Sequence, residues 1–490
     1  NHYMYGKQGV ERWDNMALEM SGLFGRKEIF TDVKEINRDN IVSVLTDALN
    51  IHRINKTQIE YLKNYVRGDQ PILSRIKEVR PEINFKIVEN HAAEIVSFKT
   101  GYVFGSPISL VQRGKVDAKE SDELQDDKRI SILNEMLFEE DKHAKDKELG
   151  EEMSICGIGH RIILPRPKND IIGTSPFYLL NLPSENTFVV KSNDIYRKPV
   201  LGVTFTENTK DKSFTYGAYT DKYYFTLEGN LLGNGLKLIK TEPNLLGMIP
   251  VVEYPNNSAR QGSFEIVIPL LDALNIATSD RLNGIAQFVQ ALMWFNNCQI
   301  DSNQYSELKA EGAILTKSEP GLPANVEYIT ETLNQSETQT LIDYMYDCIL
   351  QIAGVPDRKV STGGNTGQAI QLSNGWETAE AMARSTELLF SQSEKASLRI
   401  IIKILNTIKT VDIKDIALSD IDIKFSRSKN DNASIKIQNL IGQLNAGIHP
   451  RIAIANCGLF SDAEQTYIDS LPYLKKWENI EPPEEKEEVV

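Results

Sequence analysis

The spacing of apolar positions changes several times along the chain, and each change marks a candidate element. In FKIVENHAAEIVSFKTGYVFG (85–105), Val88, Ala92, Ile95, Phe98 and Tyr102 recur every three to four residues, which predicts one buried helical face. Gly105 and Pro107 stop it. His91 lies one residue from this stripe and is expected to be a core histidine. Two short helical patterns precede it between residues 40 and 66, and after the polar loop KESDELQDDKR a further helix, ISILNEMLFEEDKHAKDKELGEEMSI, runs to Gly157.

From Gly157 to about Pro255 the period shortens. HRIILP, FYLLNL, TFVVKS, VLGVTFT, KYYFTLEG and IPVVEYP are β-branched or aromatic runs separated by Pro, Asn and Gly, so a mostly antiparallel sheet is expected. Residues 263–297 then read as a helix on the order of 45 Å long, with Pro269 tolerable only near its first turns. The pattern breaks over 298–335 into a short helical piece, SELKAEG, and two strand-like pieces, AILTK and VEYIT, around EPGLP. ETQTLIDYMYDCILQIAG is a second helix, stopped by Gly354 with Pro356 beyond. Three glycines, Gly363, Gly364 and Gly367, follow, and then a pattern over 366–408 that would reach roughly 60 Å, with Gly375 its one weak point. The strand DIDIKFS, three short amphipathic helices between 433 and 473 and the acidic tail EPPEEKEEVV complete the chain.

At 490 residues the chain is expected to hold two or more packed regions, and 41% hydrophobic with 25% charged residues reads as a folded protein. The longest apolar stretch, IAQFVQALMWF, is too short for a membrane span and is interrupted by Gln287 and Gln290. No basic and apolar leader opens the sequence, which leads to the expectation of a protein that is not secreted. Cys156, Cys298, Cys348 and Cys457 form no CxxC pair and are expected as reduced thiols. The net charge of −14 has the wrong sign for a protein that grips nucleic acid through its phosphates.

The glycine loop invites a phosphate-binding reading, which spacing rejects. A P-loop needs a lysine after its last glycine, whereas Gly367 is followed by Gln368 and Lys359 lies before the glycines. Asn365 with Gln368 instead suits a capping box at a helix start. The histidines at 2, 52, 91, 143, 160 and 449 make no ligand pair, there is no G-x-S-x-G elbow, and Glu151 with Glu152 lies in a charge run expected to be solvated. No catalytic group, cofactor or metal site is indicated.

The element order, together with KTGYVFGSPISL (99–110), IPVVEYPNNSARQGSFEIVIPLLDALNIATSDRLN (249–283) and GVPD (354–357), resembles the portal proteins of tailed bacteriophages, the SPP1-like portal family. The resemblance implies an α+β portal fold: a mixed α/β wing, long stem helices, a small α/β clip and an α-helical crown, assembled as a ring of about twelve subunits. By position, residues 1–262 would be wing, 263–297 a stem helix, 298–335 the clip and 336–354 the second stem helix. Residues 355–367 would be a tunnel loop, 368–432 the long wing helix with its returning strand, and 433–490 the crown and acidic tail.

The family's role implies a virion protein at a capsid vertex, made in the host cytoplasm, through which terminase drives double-stranded DNA and to which head-completion, major capsid and scaffold proteins dock. Lys359, Val360, Ser361, Thr362, Gly363, Gly364, Asn365 and Thr366 would then face DNA, with the glycines giving the loop freedom to yield. Tyr305, Leu308, Ile314, Leu315, Val326, Tyr328 and Ile329 would form the clip's subunit and partner interface. Cys298 and Cys348 would lie near the clip's base. Two other readings stay open from the residues alone: a nucleotide-dependent enzyme with a phosphate site at 361–367, and a capsid protein that does not enclose DNA.

Overall fold

The computed structural model describes residues 25–78, 81–113, 128–167, 175–210, 212–230, 235–289, 292–296, 325–329, 335–357, 375–408, 416–426, 433–460 and 463–474. In chain order the first elements are β1 (Ile29–Thr31), α1 (Ile41–Val66), α2 (His91–Phe104), β2 (Ser109–Gln112), α3 (Lys128–Glu139) and α4 (Lys142–Cys156). Next come β3 (Ile158–Pro165), β4 (Phe177–Leu182), β5 (Thr187–Ser192), β6 (Pro199–Glu207), β7 (Phe214–Tyr219), β8 (Tyr223–Gly229), β9 (Lys237–Pro243) and β10 (Val251–Pro255). They are followed by α5 (Ile268–Val289), β11 (Leu292–Asn296), β12 (Asn325–Ile329), α6 (Gln335–Ala353) and α7 (Trp376–Thr407). The last are β13 (Ile421–Lys424), α8 (Ala433–Asn445), α9 (Pro450–Cys457) and α10 (Ala463–Leu474). The chain divides into two units, one of Asn1–Val66, Ala92–Ile266 and Ala353–Val490, the other of Arg67–His91 and Val267–Ile352.

In the first unit, helix α1 is continuous where the sequence pattern suggested two pieces. Its buried positions Ile41, Val44, Leu45, Ala48 and Leu49 keep one register and pack with Phe188, Val190, Leu201, Val203 and Phe205. Each of these side chains larger than alanine contributes about 1.5–3 kcal/mol by leaving water. The sheet they cover has the order β1-β5-β6-β7-β8-β9, parallel only at β1 and β5 and antiparallel elsewhere, as the short turn-separated runs foretold.

A second sheet, β10-β3-β4, is antiparallel throughout. Its Ile163, Leu179, Val252 and Tyr254 share a core with Leu149 and Met153 of α4 and with Phe390, Leu398 and Ile401 of α7. The returning strand β13 pairs antiparallel with β2. The single helix expected before Gly157 is two, because the chain turns left-handed at Asp141 (φ 52°). The cause is Glu140, 5% exposed, whose carboxylate accepts from Arg166 and from the Leu179 amide. Satisfying those buried donors outweighs one continued helical turn.

The second unit holds α5, α6, the β11–β12 pair and the segment 67–91. Helix α5 is shorter than the expected 263–297. A 3-10 turn over Glu265–Val267 precedes it, Pro269 sits in its first turn, and Leu292–Asn296 is a strand that pairs with Asn325–Ile329. Along α5, Asn275, Ser279 and Asn283 recur every four residues and are at most 2% exposed. They meet an extended stretch running antiparallel to the helix: Glu89 N donates to Asn275 Oδ1 (2.8 Å), Ile87 N to Ser279 Oγ (2.9 Å) and Phe85 N to Asn283 Oδ1 (2.7 Å). The match follows from geometry, since four helical residues rise about 6.0 Å and two extended residues about 6.6 Å. Arg75 to Asp280 (2.7 Å) and Gln70 to Asn275 extend the lacing.

Candidate functional site

The eight loop residues singled out from the sequence, Lys359 to Thr366, lie outside the described residues, as do Tyr305, Leu308, Ile314, Leu315, Cys298 and the expected Asn365 cap. Val326, Tyr328 and Ile329 fall on β12, in register with Phe295, Met293 and Leu292 of β11. Of the expected clip strands, VEYIT is therefore paired, with a partner taken from the apolar run read as helix.

The two ends from which the 358–374 segment departs are described, and they adjoin. Helix α6 ends at Gly354, whose φ of 63° is the left-handed stop expected there, and α7 begins after Gly375, also left-handed at φ 79°. A Cβ placed on Gly375 would lie 3.9 Å from Pro356 Cα, and one on Gly354 would meet Met382 Sδ at 2.3 Å. The chain thus leaves and returns at one place.

Helix α2 supplies that root with its anchors. Lys99 Nζ donates to the Gly354 carbonyl oxygen (3.2 Å) and lies 3.3 Å from Met382 Sδ. Tyr102 donates its hydroxyl to Glu380 (2.9 Å), which also accepts from Arg384. Phe98 and Tyr102 stack, with ring centroids 5.5 Å apart, and Trp376 leans on both at 6.1 and 5.8 Å. Burial pushes the Lys99 amine down to about 8. The apolar period of 85–105 found this helix, but it read Phe98 and Tyr102 as general core and passed over Lys99. A lysine inside an apolar stripe was the available signal.

A second constellation ties the other part of α7 to the sheet. Arg161, fully buried, donates to Asp146 (2.8 Å) and Glu394 (3.4 Å), while Lys142 reaches Asp146 (2.5 Å) and Glu394 (3.0 Å). Tyr254 donates to Glu394 (2.8 Å), and the Arg161 guanidinium lies over the Tyr254 ring at 5.4 Å. Burial alone would push the Glu394 carboxyl up, but the Lys142 ammonium and the Arg161 guanidinium outweigh it and hold it below the usual carboxylate range. The network joins α4, β3, β10 and α7 by paired charges. It is a structural brace, closed to solvent on every member.

Other expected residues are placed more plainly. His91 is not a core residue: it opens α2, half-buried, against Glu89 and the Tyr346 ring. Two described histidines are fully buried: His52, between Phe188 and Phe205, with Nε2 3.0 Å from the Glu185 carbonyl oxygen, and His160, with Nδ1 3.1 Å from Ser184 Oγ. Glu151 is exposed as expected, while Glu152 is half-buried, with Lys63 bridging it and Glu185 at 2.9 and 2.7 Å. Cys156 and Cys457 are buried free thiols and Cys348 is half-buried. Among the described residues no cluster of three or more His, Cys, Asp or Glu is placed to hold a metal, and no helix is long and apolar enough to cross a membrane.

Comparison with curated proteins finds no match. A family model described as phage portal protein, SPP1 Gp6-like, matches residues 47–480, which takes in β2 to β13, α5, α6 and the loop root and leaves out only the first 46 and last ten residues. That span leaves almost nothing of the chain to another architecture, and the chain belongs to the SPP1 Gp6-like family of phage portal proteins.

Proposed function

We propose that this portal protein assembles as a ring of about twelve copies at one capsid vertex. Through it double-stranded DNA enters under terminase and later leaves, and head-completion proteins dock on its outer end. Portal proteins of this family are structural rather than catalytic, and their place is the virion capsid. On this reading α5 and α6 are the stem, β11 and β12 belong to the clip, and the sheets with α1–α4 and α7 are the wing. Residues 433–490 form the crown.

The observation that carries the reading is the root at Pro356 and Gly375, where the ends of the 358–374 segment adjoin. A chain that departs from the end of one long helix and returns to the start of another at the same point is suited to present a finger. Lys359, Ser361, Thr362, Asn365 and Thr366 are the groups proposed to brush phosphate oxygens, with Gly363 and Gly364 allowing the finger to yield. The net charge of −14 supports passage over grip, because a wall that neutralised many phosphates would hold the duplex.

Negative-stain images of the purified protein are expected to show rings with an axial opening, and monomers or closed particles at assembly concentrations would sink the proposal. Substituting Gly363 and Gly364 by Val is expected to leave rings intact while lowering DNA uptake into heads. Uptake equal to the wild type would remove the finger's role.

A further inference from the structure

The solvent arc of α7 carries a charge pattern that its folding does not need. Over residues 391–407 the only acid, Glu394, is buried and engaged by Lys142 and Arg161. Every exposed charge there is a cation: Lys395, Arg399 and Lys403, four residues apart and so stacked in one row. Arg384, earlier on the same arc, is paired with Glu380, whereas no described carboxylate pairs with the three that follow. Like charges at this spacing repel, and the helix dipole favours a cation only near the final turn, so it accounts at most for Lys403. In a chain of net charge −14, a row of three unanswered cations also runs against composition.

The row is firmly mounted. Leu398, Ile401 and Leu405 are buried in the core shared with β3, β4 and β10, and Glu394 ties the same stretch to α4 and β3, so the helix is fixed about its axis with the cations outward. Each step of four residues rises about 6.0 Å, which makes the row about 12 Å long. One strand of a DNA duplex carries a phosphate every ~3.4 Å of axis, so that length meets roughly three or four phosphates. A protein partner would call for an apolar centre among the charges. Instead the exposed neighbours are Gln392, Asn406 and Thr407, and Leu388 lies two turns before Lys395. Neutral amide and hydroxyl donors suit phosphate oxygens.

We propose that Lys395, Arg399 and Lys403 form a binding site for the phosphate backbone of duplex DNA, indifferent to sequence and distinct from the Lys359–Thr366 group. DNA as the polyanion rests on the conduit reading, while the row itself is a property of α7. With three phosphate contacts per chain the hold is weak and reversible, a rest for the duplex and not a brake on it.

The test titrates the full-length protein with a fluorescent duplex of random sequence at several salt concentrations. Wild type is expected to show a slope of log affinity against log salt of about −2.7 for each row engaged, a loss of about fortyfold between 50 and 200 mM. Lys395→Gln/Arg399→Gln/Lys403→Gln should abolish that binding with an unchanged urea midpoint, and Arg399→Gln alone should lessen the slope by about 0.9. A control, Lys198→Gln/Lys237→Gln/Lys240→Gln, removes the same formal charge from exposed positions elsewhere and should bind as wild type does. Equal binding by wild type and the row variant would overturn the site, as would an equal loss in the control. Displacement of the duplex by poly-glutamate at equal charge would overturn DNA as the ligand in favour of an acidic protein. Duplex binding through the row by a wild-type chain that forms no rings in negative stain would uphold the site and sink the conduit reading alone.

Discussion

Glu394 stands on the apolar stripe of a long helix, 1% exposed, and two cations and a tyrosine hydroxyl converge on it. Glu394→Ala is expected to destabilise the fold by about 3–5 kcal/mol, because Lys142 and Arg161 would remain buried with half their neutralisation gone. Urea midpoints read this directly. His52 gives a second, pH-dependent handle. Burial pushes its ring down from 6.5 to about 3, so between those values the unfolded chain binds a proton that the folded chain refuses. Stability should therefore fall as pH drops below 6.5, approaching about 1.4 kcal/mol per unit, and His52→Gln should flatten the slope above pH 5. Lys99 acts at the other end of the scale. With its amine down at about 8 from 10.5, the unfolded chain holds the extra proton between these values, and stability should rise with pH across that window in wild type but not in Lys99→Met. None of these three residues was singled out from the sequence. A charged or titratable side chain within an apolar run looks the same in sequence whether it snorkels to water or is paired by residues over two hundred positions away, as Arg161 and Glu394 are.

At the level of elements the apolar period found the helical regions and most of the strands, but β1, β2, β7 and β9 went unread, and it failed where local signals compete with tertiary partners. LMWFN continues the pattern of the helix before it, and only pairing with Asn325–Ile329 makes it a strand. The helix break at Glu140 depends on Arg166 and on the Leu179 amide, which local sequence cannot reveal. Left-handed Gly354 was legible as a stop, since glycine is the residue such stops require, whereas Gly375, read as a weak point within one helix, instead precedes the start of α7. The lacing of Asn275, Ser279 and Asn283 was not legible, because polar residues four apart on a helix ordinarily mark its wet face. Here they mark its most buried one. Asn283→Ala should leave the Phe85 amide without its partner, cost about 1–3 kcal/mol, and speed exchange at Phe85 more than at Glu89. Equal acceleration along the whole stretch would mean that the lacing opens as one piece.

For the molecule as a whole, the partition into two units is not a partition of the sequence. The chain passes between them at 66/67, 91/92, 266/267 and 352/353. Sheet region, helix order and loop position were all readable as a linear series, and that series is what the resemblance to portal proteins rested on. That residues 67–91 leave one unit to serve the other was invisible, because no composition change marks their ends. A gene fragment encoding 267–352 alone would therefore express helices α5 and α6 with three amides and hydroxyls aimed at a backbone that had been left behind. Supplying a synthetic peptide of residues 67–91 in trans should restore helical signal to that fragment, and a peptide with N-methylated amides at Phe85, Ile87 and Glu89 should not.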